Sequence, residues 1–227
     1  MLSHAGATRA LFAGLLIGCS TLSAGSITIS FDAGDPIGGL AVGTILSNQY
    51  AATTGATFSP NAFTGAGGPT GSWATNTGLQ IVSSTGGDVG GLGTPSLVSG
   101  NILRSFNDWL SENGDPSFAI SFATPVLDFS ATFAGIATSA STRIFAYNGT
   151  TLLTTVAAAA GGQQTLSISG FGDITSVVVT PGDFNDWVGV DNVSFTPDAG
   201  VPEPATLGMV GSAVLLFGIS RVKRARS

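Results

Sequence analysis

The sequence predicts an all-β protein, an antiparallel β-sandwich of jelly-roll-like topology, and three observations lead to this class. Apolar and polar residues alternate along many short stretches, and no stretch has a convincing helical period of 3.6 residues. Gly, Ser, Thr, Ala and Val dominate the centre of the chain, whereas Glu, Lys and Arg, which favour exposed helix faces, are scarce there. Turn signals separate the alternating stretches, and two glycine-rich stretches within residues 60–100 predict long loops at one end of the sandwich.

Ten short segments have the character of strands. Phe118, Ile120 and Phe122 alternate along one of them, and a turn at Thr124-Pro125 separates it from the next. Asn148-Gly149 is the strongest hairpin signal in the chain, because a tight type I′ turn needs positive φ at both central positions. The predicted strands are 26–31, 57–59, 79–83, 117–123, 127–133, 142–147, 151–157, 164–169, 176–180 and 188–195.

Residues 1–25 have the pattern of a secretory signal peptide. One positive residue, Arg9, precedes the apolar stretch 10–18, which is too short to cross a membrane as a helix. Small residues follow, and cleavage among them would begin the mature chain near Ser26. An alternative stays open, because residues 16–19, Leu-Ile-Gly-Cys, resemble the bacterial lipobox, in which the cysteine becomes the lipidated first residue.

The C-terminal end combines three features. A Val-Pro-Glu-Pro motif closes the linker 197–204, where the prolines hold the chain extended. Residues 205–220 are expected to form a transmembrane helix, although their most apolar part, 207–219, spans only about 20 Å of a hydrocarbon core about 30 Å thick. The positive charges lie in the tail 221–227, which predicts a cytoplasmic C-terminus. The motif consists of Val201, Pro202, Glu203 and Pro204, and the basic residues are Arg221, Lys223, Arg224 and Arg226.

This arrangement resembles the PEP-CTERM sorting signal of exported Gram-negative bacterial proteins. The resemblance implies that an exosortase-type processing enzyme in the inner membrane recognises the tail and cleaves it. It also implies export, transient anchoring in the inner membrane, and a final position on the cell surface or outside the cell. The short span suits a segment that is held briefly and then processed; the alternative is an ordinary single-pass anchor.

Without its two ends the chain is strongly acidic and lacks the common catalytic groups. The only histidine and the only cysteine, His4 and Cys19, lie in the predicted signal peptide. Residues 26–200 contain Arg104 and Arg143 against twelve acidic residues, a net charge of about −10 that disfavours nucleic acid as a partner. The missing His, Cys and Lys exclude Ser–His and Cys–His nucleophilic systems, thiolate or histidine zinc sites and Schiff bases. Since no pair of carboxylates is marked as a glycosidase pair either, we expect that the protein is not an enzyme.

Two segments share the sequence Phe-Asn-Asp-Trp, at 106–109 and 184–187, and further oxygen ligands lie near each. One interpretation is a paired site in which the Trp faces stack on sugar rings while Asp and Asn oxygens bind sugar hydroxyls or Ca²⁺. The simpler interpretation places the Trp rings in the core and the polar residues in turns. Both interpretations also apply to a third tryptophan in the loop-rich region. The candidate residues are Trp73, Trp109, Trp187, Asp108, Asp183, Asn185, Asp186 and Asp191.

Three stretches of the body, residues 26–196, outline a known kind of domain. They are Phe31-Asp32 near its start, Tyr50 ahead of the segment 55–59, and the closing segment 189–195. The body resembles exported bacterial sandwich domains of carbohydrate-binding-module type, and this resemblance implies that the first and last strands pair as neighbours. Two functions follow as hypotheses. One is a non-catalytic surface or extracellular-matrix protein associated with exopolysaccharide, and the other is a carbohydrate-binding module that uses its Trp and Asp/Asn loops.

Overall fold

The structure is a computed structural model that describes residues 25–60, 79–85, 97–105, 117–182 and 188–198. These residues form ten strands with one short α-helix and one 3₁₀ turn, and every strand pair among them is antiparallel. The predicted all-β antiparallel class is therefore confirmed. The elements are β1 (Ile27–Ile29), β2 (Ile45–Leu46), α1 (Ala51–Thr54), β3 (Ala56–Pro60), β4 (Leu79–Ser83), β5 (Asn101–Ser105), β6 (Phe118–Ile136), the 3₁₀ turn Ser139–Ser141, β7 (Arg143–Asn148), β8 (Thr151–Ala157), β9 (Gly162–Thr180) and β10 (Gly189–Pro197).

The long strand β6 bends, so that its two halves belong to different layers. Its first half pairs with β3, with Phe122 opposite Ala56. Its second half pairs with β10, with Phe129 opposite Phe195. The ring centroid of Phe122 lies 6.2 Å from that of Phe129 and 4.9 Å from that of Phe195. Since seven residues of a straight strand would separate Phe122 from Phe129 by about 23 Å, β6 folds back on itself where the pairing register shifts, around Thr124-Pro125.

The bend produces two facing layers. One layer contains β3, the first half of β6, the second half of β9, β7 and β8. The other contains β2, β4, β5, β10, the second half of β6 and the first half of β9, with β1 beside β10. One hydrophobic core between the layers receives side chains from nearly every strand, as a sandwich requires. Its large buried aromatic residues are Phe31, Tyr50, Phe58, Phe118, Phe129, Phe133 and Phe195.

Several predicted local features are confirmed. The strands predicted at 79–83 and 151–157 have the bounds observed for β4 and β8. The predicted hairpin forms, but Asn148 is the last residue of β7 and lies opposite Thr151, so the two connecting residues are Gly149 and Thr150. Gly149 has a positive φ, 56°, whereas Asn148 does not, so the turn is not of type I′. The first and last strands pair as expected, with Ile27 opposite Phe195.

Other predictions need correction. The sequence predicted two strands over each of β6 and β9, whereas each is a single strand, because antiparallel pairing resumes directly beyond the bend. The strands β2 and β5 were not predicted. The alternation of Leu127 with Phe129 and Phe133 in the sequence places these residues on one face of a strand, but Leu127 is 36% exposed, because the pairing register shifts on both sides of Val126.

The predicted ends of the chain lie outside the described residues. These are residues 1–24 of the signal peptide, the Val201–Pro204 motif, the transmembrane segment 205–220 and the basic tail 221–227, all of which stay predictions. In the part of the chain that the structure describes, no helix combines the length and the apolar character needed to cross a membrane.

Candidate functional site

The three tryptophan-bearing segments all begin and end at one end of the sandwich. The segments are 61–78, 106–116 and 183–187; they lie outside the described residues, but the strands that flank them are described. Their position therefore follows from the strand registers at their two attachment points.

In one layer the attachment points meet around Phe118. Pro60, the last residue before segment 61–78, lies opposite Phe118 in the β3–β6 pair. Segment 106–116 returns to the sandwich at Ser117, next to Phe118. In the β6–β9 pair Phe118 lies opposite Val179, close to the point at which the chain leaves for segment 183–187. All three segments thus have one attachment point in this small region.

In the facing layer the attachment points meet around Ser105. Segment 61–78 returns at Leu79, which lies opposite Ser105, and segment 106–116 begins directly after Ser105. Leu103 lies opposite Val190 in the antiparallel β5–β10 pair, so the same register brings Ser105 to the level of Val188, where segment 183–187 returns. The three segments therefore connect the two layers at a single end. We call it the tryptophan end and define it by the flanking residues Pro60, Leu79, Ser105, Ser117, Gly182 and Val188.

Most of the predicted site residues belong to these segments and so lie outside the described residues. They are Trp73, Trp109, Trp187, Asp108, Asp183, Asn185 and Asp186. The registers bring the attachment points of their segments together, and the contacts of the side chains themselves stay predictions. The long loops expected within residues 60–100 are divided between two places, because segment 86–96 joins β4 to β5 beyond Ser83 and Asn101, at the opposite end of that strand pair.

Asp191 is the one predicted site residue within the described part of the chain. It lies in β10 and is 2% exposed. The backbone N–H of Asn192 donates to its carboxylate at 2.7 Å, and that of Ser99 donates at 3.4 Å. Burial raises the pKa of Asp191 to about 7, and the charges of Asp32 and Asp35 act in the same direction, while the two amide hydrogen bonds lower it. The side chain is thus engaged with the backbone inside the sandwich.

Asp35, which is buried, and Asp32, which is half-buried, form a polar group that was not predicted from the sequence. The backbone N–H of Asn101 donates to the carboxylate of Asp32 at 2.8 Å, and the backbone N–H of Ser30 donates to the carboxylate of Asp35 at 2.8 Å. The Tyr50 hydroxyl also donates to Asp35. These bonds fasten the turn after β1 to β5 and to the start of α1, which is a structural role. Among the described residues, no three His, Cys, Asp or Glu side chains are grouped closely enough to hold a metal ion.

The opposite end of the sandwich, at the bend of β6, contains an open groove of about 270 Å³. Phe122, Val126 and Phe195 contribute to its apolar lining, and the exposed residues Thr53 and Thr124 also border it. No charged side chain lines it. The groove contains none of the predicted site residues, so the candidate site is at the tryptophan end.

The described residues therefore define a β-sandwich domain in which three connections between the two layers leave and return at one end. No protein-family model matches the chain, and no curated protein sequence matches it. The chain is similar in structure to the K2 cleaved adhesin domain of Lys-gingipain, at 13% identity and a TM-score of 0.44, over 76% of this chain and 99% of that domain. It is also similar to the K1 cleaved adhesin domain of Lys-gingipain from Porphyromonas gingivalis W83, at 14% identity and a TM-score of 0.38, over 75% and 97% of the two chains. A family 6 carbohydrate-binding module matches at 20% identity and a TM-score of 0.28, over 52% and 82%. These values are too low for the likeness to bear on function.

Proposed function

We propose that the chain is an exported, non-catalytic surface or matrix protein whose sandwich binds polysaccharide through the tryptophan end. One observation carries the binding proposal: all three tryptophans of the chain lie in the three segments that are attached at this end. Indole faces stack on the apolar faces of sugar rings, and three tryptophans in segments attached at one end would form a surface for more than one sugar unit. Such a surface suits an extended glycan better than a small compact ligand.

The charge of these segments narrows the class of glycan. Five of the twelve acidic residues within 26–200 lie in segments 106–116 and 183–187, beside the two Phe-Asn-Asp-Trp sequences. Carboxylate oxygens accept hydrogen bonds from sugar hydroxyls, but they repel uronates and other anionic sugars. The proposal therefore specifies a neutral or amino-sugar polysaccharide.

Binding to a glycan array tests this function. We expect Trp109→Ala and Trp187→Ala to weaken binding at least tenfold, about 1.4 kcal/mol each, while thermal unfolding stays unchanged. The matched control is Leu127→Ala, which removes an exposed apolar side chain near the opposite end of the sandwich. If binding is absent from every glycan, or if the tryptophan variants lose it only because they unfold, the rings belong to the core and the protein has a purely structural matrix role.

The C-terminal region is assigned to sorting in the same proposal. Val201–Pro204, the apolar segment 205–220 and the tail 221–227 have the order that an exosortase-type enzyme of the inner membrane would process. Mass spectrometry of the exported protein tests this assignment directly. A C-terminus shortened to the neighbourhood of the Pro-Glu-Pro motif is expected; an intact Ser227 contradicts processing, and a lipidated Cys19 contradicts the predicted signal-peptide cleavage.

A further inference from the structure

Two open sheet edges lie on the same side of the sandwich. Within the described residues, β8 pairs only with β7. The first half of β9, residues 162–169, pairs only with β6. The two strands also lie against each other, and their inward side chains Val156, Leu166 and Ile168 reach the same core. Each strand therefore presents one row of backbone N–H and C=O groups that no described strand uses.

Neither β8 nor the first half of β9 carries a charged side chain; the nearest charges, Arg143 opposite Ala157 and Asp173 bonded to Asn148, lie at the two ends of β8. Between Arg143 and Asp173 the chain has no Asp, Glu, Lys or Arg, and we call residues 144–172 the uncharged flank. Sheet edges in soluble proteins are usually short, or they carry charges or prolines that prevent pairing with another chain. β8 has seven residues, Thr-Leu-Leu-Thr-Thr-Val-Ala, with high β propensity and neither charge nor proline.

The other strand edges in the described residues are protected. β1 has three residues and β2 has two. β3 has five and ends at Pro60, which cannot donate a ladder hydrogen bond. Among the described residues, the long unpaired strand edges are thus confined to one flank. Their contrast with the protected edges of β1, β2 and β3 indicates that this flank is kept available for pairing with another strand.

We propose that the uncharged flank binds the same flank of a second copy of this chain, with β8 adding antiparallel to β8. Because residues 26–200 carry a net charge of about −10, two copies repel each other, and the uncharged flank is the approach at which this repulsion is weakest. The edge is also self-complementary, since every antiparallel register of two β8 strands places only Thr, Leu, Val and Ala side chains opposite one another. The contact has two-fold symmetry and closes as a dimer.

The size of the edge makes the association weak. Seven residues of strand are about 23 Å long, and the two layers are about 10 Å apart, so the contact covers roughly 230 Å² per copy. Stable interfaces bury about 800 Å² per partner. A bulge in β8, where the β7 register shifts beyond Ala146, further shortens the regular stretch. The dimer therefore forms at high local concentration, as on a surface or in a matrix, and dissociates on dilution.

Sedimentation equilibrium of the full chain, purified from the cells that produce it, tests the proposal. Thr155→Lys places a charge at an exposed position of β8, and the control Ser121→Lys places the same charge at an exposed position of β6, between two paired strands. Both variants lower the net negative charge equally, so their difference reports the edge alone. We expect Thr155→Lys to raise the dimer dissociation constant at least tenfold, whereas Ser121→Lys leaves it unchanged or lowers it.

Hydrogen exchange locates the contact independently of any variant. In the unaltered chain, amides of Thr151–Ala157 should become more protected as the protein concentration rises. A chain that stays monomeric up to its solubility limit, equal association of the two variants, or protection confined to other segments overturns the proposal. If Thr155→Lys fails to fold, the exchange measurement on the unaltered chain decides alone.

Discussion

The hydroxyl of Tyr50 donates a hydrogen bond to the carboxylate of Asp35, and both side chains are buried. The bond joins the turn after β1 to the start of α1, and the Tyr50 ring packs edge-on against Phe31 with 6.1 Å between ring centroids. Burial and the hydrogen bond to the carboxylate raise the pKa of Tyr50, so the hydroxyl stays protonated and donates at physiological pH. This contact stabilises the segment on which the Asp32–Asn101 bond also depends.

Removal of the Tyr50 hydroxyl is expected to destabilise the fold. Tyr50→Phe keeps the ring packing but leaves a buried carboxylate oxygen without its donor, which costs about 1.5–3 kcal/mol of unfolding free energy. Urea denaturation measures the loss. In a double-mutant cycle with Asp35→Asn the two changes should couple by at least about 1 kcal/mol, and strictly additive effects would show that the bond contributes nothing.

Gly100 and Gly149 form a matched pair for a second prediction. Both have positive φ, 67° and 56°, so an alanine at either position costs about 1 kcal/mol of backbone strain. At Gly149 a new Cβ meets nothing within 4 Å, whereas at Gly100 it would overlap with the carboxylate group of Asp32. Gly100→Ala must therefore displace the Asp32 carboxylate and break its hydrogen bond with the backbone N–H of Asn101. We expect Gly100→Ala to lower the unfolding free energy by about 1–3 kcal/mol more than Gly149→Ala; equal losses in urea denaturation would contradict the tight contact.

Asp191 predicts a pH dependence of stability with a definite sign. Its pKa in the folded state, about 7, lies above the ordinary value of 3.8, so the folded chain binds more protons than the unfolded chain between these values. The unfolding free energy should accordingly be highest near pH 4 and fall toward pH 7, by up to about 4 kcal/mol. The variant Asp191→Asn loses one acceptor oxygen and is less stable at pH 4, but its stability should change much less with pH. Denaturation curves of both proteins from pH 4 to 8 check this, and an identical slope in the variant would be evidence against it.

The bend of β6 depends on the packing of Phe122 against Phe129 and Phe195. Phe122→Ala removes the ring that holds the two halves of the strand together, and we expect a loss of about 2–4 kcal/mol of unfolding free energy. Leu127→Ala, five residues further along the same strand, removes an exposed side chain and should change stability by less than about 0.5 kcal/mol. Urea denaturation of the two variants compares them directly, and similar small effects would mean that the bend does not need the aromatic contact.

Local signals in the sequence were sufficient for much of the fold. The Asn148-Gly149 turn and the alternating stretches of β4 and β8 specify their own structure, because turn chemistry and a period of two act over a few residues. β5 was missed because Arg104, buried in the fold, interrupts its apolar pattern. β6 and β9 were each divided in two, because Thr124-Pro125 and the glycines near 170–172 are typical of turns, whereas here they bend a continuous strand.

Two features of the fold, the polar group around Asp32 and the position of the candidate site, depend on long-range contacts that no local sequence pattern contains. Asp32 and Asn101 are 69 residues apart, and only the packing of the turn after β1 against β5 brings them together. The two Phe-Asn-Asp-Trp segments were recognised as a pair from their sequence, but their common end follows from the registers of β5, β6, β9 and β10. The registers of four strand pairs had to be known before Trp73, Trp109 and Trp187 could be assigned to one end.

Tryptophan fluorescence during titration with a neutral polysaccharide tests the central claim most directly. Since the chain has only three tryptophans and all lie in the segments of the tryptophan end, their emission reports that end alone. The account predicts a saturable change in emission whose midpoint matches binding measured by calorimetry, and it predicts that Trp109→Ala and Trp187→Ala weaken both. Calorimetric binding with no change in emission, or with an affinity that these variants leave unchanged, would contradict it.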